Sequence, residues 1–86
     1  MLKSIEKLID AAVNGAEHKS LANHSFQKRN GLYYFYYHFT PICIVDPEQK
    51  TMVLDDGGWK TTSTKRSIND YRKAFADYNV VTNLDH

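Results

Sequence analysis

Residues 32–39 read Leu32-Tyr33-Tyr34-Phe35-Tyr36-Tyr37-His38-Phe39, and this one run holds most of the chain's aromatic side chains. Tyrosine and phenylalanine suit the pleated surface of a strand. Side chains of a strand point alternately to its two faces. Tyr33, Phe35, Tyr37 and Phe39 are therefore expected on one face, and Leu32, Tyr34, Tyr36 and His38 on the other. The set with both phenylalanines is the expected core face. That leaves tyrosines on the reverse side, and the rest of the fold decides whether anything covers them.

Working outward, Asn30-Gly31 stands directly before the aromatic run. Both residues tolerate positive φ, so the pair predicts a two-residue hairpin turn. The preceding stretch His24–Arg29, centred on Phe26, is then the partner strand. On the other side, Thr40-Pro-Ile-Cys-Ile-Val45 predicts a further strand with Pro41 at its start, where a missing N–H is tolerated. Asp46-Pro47-Glu48-Gln49-Lys50 is a turn, with Asp46 placed to accept hydrogen bonds from the backbone ahead. Thr51–Asp56 is the returning strand, and Gly57-Gly58 ends it.

Helices flank this unit. Leu2, Ile5, Leu8, Ile9, Ala12, Val13 and Ala16 recur at helical spacing, with Lys3, Glu6, Lys7 and Asp10 opposite. Asn14-Gly15 is the expected stop. Residues 16–24 are polar and read as a connection. Near the end of the chain, Ile68, Tyr71, Phe75 and Tyr78 define a second helix that closes at Tyr78-Asn79. Ser67 with Asp70 forms a capping-box pattern, and Ser63 or Thr64 offers a cap one turn earlier. Val80–His86 is either a short extra strand or a frayed end. The expectation is one α+β domain over residues 1–86: an antiparallel meander of three to four strands, with an N-terminal and a C-terminal helix packed on one face.

Nothing in that plan covers the second face, where Tyr34, Tyr36 and His38 are expected. Three uses suit such a surface. The tyrosines can simply decorate an exposed sheet, since exposed apolar area is normal. They can form a protein interface, where tyrosine is enriched, including one with a second copy of the chain. They can stack bases of a single strand.

A second stretch bears on function: Asp55-Asp-Gly-Gly-Trp-Lys-Thr-Thr-Ser-Thr-Lys-Arg66. Four hydroxyl residues, Thr61–Thr64, precede Lys65 and Arg66 at a helix start. Hydroxyls there act as caps, and with a helix N-terminus and cations they also suit an anion. The stretch lacks the Gly-Lys-Ser/Thr ending of a phosphate loop. The run from Thr40 to Asp70 resembles a family of small phage- and bacterium-encoded domains of unknown function. The matching residues are Thr40, Pro41, Asp46, Leu54, Asp56, Gly57, Gly58, Trp59, Thr61, Thr62, Ile68 and Asn69, about the middle third of the chain. The resemblance implies a phage or mobile-element setting and no particular chemistry.

Composition narrows the classes. A net charge of +1 gives no general attraction to nucleic acid or membrane. Cys43 is the single cysteine, which fits a reducing compartment, and no apolar run has membrane-spanning length. The start of the chain does not read as a signal peptide. A cytoplasmic location is expected, that of the host if phage-encoded. His18, His24, His38 and His86 are scattered, so no metal or other cofactor is expected. Cys43 reads as a small buried hydrophobe, and no nucleophile stands with a base.

The expected function is that of a non-enzymatic binding module that occupies a host protein surface, inhibition of a host defence nuclease complex being one example. The expected partner-binding residues are Tyr34, Tyr36, His38, Trp59, Lys60, Lys65 and Arg66. The alternative is single-stranded nucleic-acid binding through the same tyrosines with Lys28, Arg29, Lys65 and Arg66. A homodimer through the tyrosine strands is a further option.

Overall fold

The computed structural model describes residues 1–84, which form two helices and one six-stranded sheet. Helix α1 (Lys3–Val13) carries Ile5, Leu8 and Ala12 on its buried stripe. Strands β1 (His18–Leu21), β2 (His24–Arg29), β3 (Leu32–Tyr37), β4 (Thr40–Asp46) and β5 (Thr51–Asp55) follow as an antiparallel meander. Helix α2 (Thr62–Ala74) then leads to β6 (Asn79–Leu84), which pairs with β5 in parallel. No helix among the described residues is long and apolar enough to cross a membrane.

The α+β class and the central hairpins agree with the sequence patterns. Asn30 and Gly31 have φ of 52° and 81°, the geometry of a two-residue hairpin turn. Asp46 Oδ1 accepts from the backbone N–H groups of Glu48 (3.0 Å) and Gln49 (3.1 Å). Both helices bury their apolar stripes in one cluster. Ile5, Leu8, Ala12, Ile68, Tyr71 and Phe75 meet Phe26, Phe35, Cys43, Val45, Met52 and Leu54 there. Phe35 sits at its centre, with its ring centroid 4.7 Å from that of Tyr71 and 5.4 Å from that of Phe26. Burying such a ring contributes on the order of 2–3 kcal/mol.

The strand count is corrected from three or four to six, and the sheet is mixed rather than purely antiparallel. The stretch expected as a connection contains β1, a polar edge strand whose Leu21 packs against the core. One partly buried residue in four gives too weak an alternation to read. The C-terminal helix ends at Ala74, earlier than Tyr78-Asn79, because the chain must turn back to lay β6 beside β5. A parallel pair needs a crossover, and α2 supplies it. Of the two expectations for the tail, Asn79–Leu84 is the strand; Asp85 and His86 lie outside the described residues. The N-cap of α2 is Thr61, ahead of every cap the sequence pattern offered, and its side chain accepts from the N–H of Thr64 at 3.2 Å.

Two residues of the aromatic run are also corrected. The strand stops at Tyr37, so His38 and Phe39 form the turn and share neither sheet face. A register shift at Phe35/Tyr36 lies opposite Ile42 and Cys43, and both of these are buried instead of alternating.

Candidate functional site

The β3–β4 turn is built from residues that carry no ordinary turn signal. His38 takes a φ of +57°, a region that histidine enters more often than most side chains. Its N–H donates to the Asn23 carbonyl at 2.7 Å, which ties the turn to the β1–β2 loop. Phe39 is thereby carried off the sheet and is 97% exposed, where strand alternation had placed it in the core.

The Asp-Asp-Gly-Gly-Trp stretch folds against the same turn. Gly57 N–H donates to Asp55 Oδ1 and Gly58 N–H to Asp56 Oδ1, each at 2.8 Å. The Trp59 N–H closes the loop on the Asp56 carbonyl at 2.9 Å. Gly57 has a φ of +62°, and a Cβ there would overlap Thr40 Cγ2. Close backbone approach is thus a second reason for glycine, besides the left-handed geometry. The Trp59 indole Nε1–H donates to Thr40 Oγ1 at 3.2 Å, which fixes the ring beside the turn with 60% of its surface exposed.

Between these two loops and the start of α2 lies a cleft of about 580 Å³. Its walls are Tyr37, His38, Phe39, Thr40, Ile42 and Trp59, and the hydroxyl residues Thr61, Ser63 and Thr64 line the helix side. Two of those hydroxyls are engaged in the helix start. Thr61 and Thr64 hydroxyls bond each other at 2.9 Å, and Thr61 Oγ1 also accepts from the Thr64 N–H. Capping accounts for Thr61 and Thr64.

The expected binding residues fall on two separate surfaces. His38 and Trp59 meet at the cleft, and Lys60, Lys65 and Arg66 are exposed neighbours in sequence of its lining residues. Tyr34 and Tyr36 lie on the outer face of the sheet, opposite the helices, with rings stacked at 6.4 Å and 23°. Ile44, paired with Tyr34, and Val53, paired with Ile44, extend that face, and the Arg29 guanidinium lies 5.8 Å from the Tyr34 ring centre. Sequence reasoning missed Phe39. The signal was present: a strand starting at Thr40-Pro41 leaves an antiparallel neighbour no connecting residues unless His38 and Phe39 provide them.

Behind the cleft, His24 is buried against Tyr37, with ring centroids 5.0 Å apart. Burial, and then the charge of His38, hold its pKa below the usual histidine value, while Asp70 acts the other way. Asp70 also accepts from the Leu2 N–H at 3.1 Å and so fastens the start of α1 to α2. Burial pushes the Cys43 thiol far above the ordinary thiol range. Among the described residues, no group of three or more His, Cys, Asp or Glu side chains is placed to hold a metal ion. Compared with family models, curated proteins and solved structures, the chain matches none of them.

Proposed function

We propose that the chain is a non-catalytic binding module that docks on another protein through the tip of the β3–β4 hairpin. One observation carries this reading: Phe39 is 97% exposed beside a Trp59 that is 60% exposed, at the mouth of an apolar cleft. A two-residue turn does not require phenylalanine, and a buried ring is favoured by about 2–3 kcal/mol over an exposed one. Aromatic side chains that project beside a pocket are typical anchors of protein interfaces. The exposed cations Lys60, Lys65 and Arg66 suit a partner whose apolar contact is rimmed by acidic groups. The phage or mobile-element setting, with occupation of a host protein such as a defence nuclease complex, remains part of this proposal and rests on the sequence resemblance.

A second reading follows from the same neighbourhood, since exposed aromatics flanked by cations also suit stacked bases and phosphates. The two readings separate experimentally. Phe39→Ser removes a ring that the fold does not bury, so stability should be unchanged. Affinity capture from host lysate should lose a specific protein in that variant. Titration with a labelled single strand should give no binding at low salt. Capture unaffected by Phe39→Ser sinks the docking reading. Strand binding that falls steeply with salt favours the alternative.

A further inference from the structure

We propose that His24 makes the tip of the β3–β4 hairpin a proton-sensitive latch: a proton on its imidazole drives the ring out of the core and frees the turn that carries Phe39. The latch is a property of the fold and holds whether or not Phe39 docks on a partner.

Two hairpin turns meet at this end of the sheet, and both are strained. Ala22 and His38 take φ of 54° and 57°, a left-handed region that residues with a Cβ seldom enter. One backbone bond ties the turns together, from the His38 N–H to the Asn23 carbonyl at 2.7 Å. That carbonyl belongs to the peptide unit joining Asn23 to His24. The His24 ring therefore cannot swing far without turning the acceptor on which His38 depends.

His24 is only 8% exposed, and its Nδ1 is buried with no hydrogen-bond partner among the described residues. A neutral ring tolerates that position better than an imidazolium, which has a donor on each nitrogen and a charge to solvate. The groups that face it are few. Strand β3 offers Tyr37, whose ring centroid lies 5.0 Å from that of His24 and 4.4 Å from that of His38. The turn offers His38, and α2 offers Asp70. Strand β1 offers the apolar Leu21, and the start of α1 sends the Leu2 N–H to Asp70 Oδ2. Burial, and then the charge of His38, hold the His24 pKa below its ordinary 6.5, with Asp70 opposing them.

Release is local. Leu21–His24 is the last pair of β1 with β2, and His24–Tyr37 is the last pair of β2 with β3. Freeing His24 therefore opens only the end of the sheet. A destination also exists. A cavity of about 440 Å³ adjoins both turns, and Ser20, Asn23, Ser25 and Gln27 line it together with His24 and His38. The released ring binds a proton more strongly than the latched one. Its population should rise as the pH falls below about 6.5, by up to about tenfold per pH unit, until the latched-state pKa is reached.

The test is amide hydrogen exchange of the intact protein by nuclear magnetic resonance, from about pH 7.5 to pH 5, with rates divided by those of an unstructured peptide at the same pH. The His38 amide should be less protected than the amides of β3 and β4, as local opening requires. Its protection should fall below about pH 6.5, by up to about tenfold per pH unit. His24→Gln keeps a neutral polar side chain and leaves His38 in place, and there the protection should stay level. Asp70→Asn keeps an acceptor for the Leu2 N–H and removes the opposing charge, so the fall should continue to lower pH. Level protection in the wild type overturns the proposal. So does an equal fall in His24→Gln, a fall in Asp70→Asn that ends at higher pH, or a His38 amide as protected as the central strands.

Discussion

Gly57→Ala is the sharpest test of how the Asp-Asp-Gly-Gly-Trp loop holds the cleft together. Two costs add at this position. A φ of +62° is a left-handed conformation that costs a residue with a Cβ roughly 1–2 kcal/mol. The new methyl also overlaps Thr40 Cγ2. Thr40 can yield only by rotating, which breaks the 3.2 Å bond from Trp59 Nε1 to its hydroxyl, or by shifting β4; either adds about 1–2 kcal/mol. The expected loss is therefore about 2–4 kcal/mol, a large part of the roughly 4–13 kcal/mol expected for a domain of this length. Gly58→Ala is the control. Its φ is +88°, but nothing lies within 4 Å of a Cβ there, so only the conformational cost applies. Thr40→Ser is the second control, because it keeps the hydroxyl and removes the overlapping methyl. Urea unfolding followed by circular dichroism gives the free energies, with an unchanged slope as the check on two-state behaviour. Gly57→Ala should fall below Gly58→Ala by about 1–2 kcal/mol, and Thr40→Ser should recover most of that difference. Equal losses for the two glycines, or no coupling to Thr40, would refute the close approach of the two loops.

Two further outcomes follow from buried groups. His24 has a folded pKa below its ordinary value of 6.5, so the unfolded chain binds more protons as the pH falls through that value. Its contribution to stability should be complete above about pH 6.5 and decline below it, until the folded-state pKa is reached; His38 deepens the effect and Asp70 opposes it. Urea midpoints measured from neutral to mildly acid pH should show a shallower decline in His24→Gln, and an identical decline in the two proteins would remove His24 as the cause. Cys43 is fully buried with its thiol pKa raised, so a water-soluble disulfide reagent should modify it slowly in the native protein and stoichiometrically in urea. Native reactivity close to that of the unfolded chain would place the thiol at the surface.

How much of this was legible in the sequence depends on how local each signal is. The Asn30-Gly31 turn, the Asp46 turn and the helical stripe of Ile5, Leu8 and Ala12 are set by residues within a few positions of each other. Tyr34 and Tyr36 followed from simple alternation, because the extra residue at the Phe35/Tyr36 register shift lies in β4, and Phe35 between them is fully buried. Those features needed no knowledge of the neighbours. The strand's end did need it. Whether a run of eight aromatic and apolar residues continues or turns at His38 depends on where β4 must return and on a hydrogen bond from His38 to Asn23, fifteen residues away in the chain. Tertiary structure therefore moved Phe39 from the expected core to the most exposed aromatic position described, and split the expected binding residues between the cleft and the outer face. The same holds for β6. Its sequence reads equally as strand or frayed end, and only the crossover through α2, which delivers it beside β5 in the parallel sense, makes it a strand. Local propensity determined the elements; the long-range pairing of their backbones decided where each ended and which side chains were left in water.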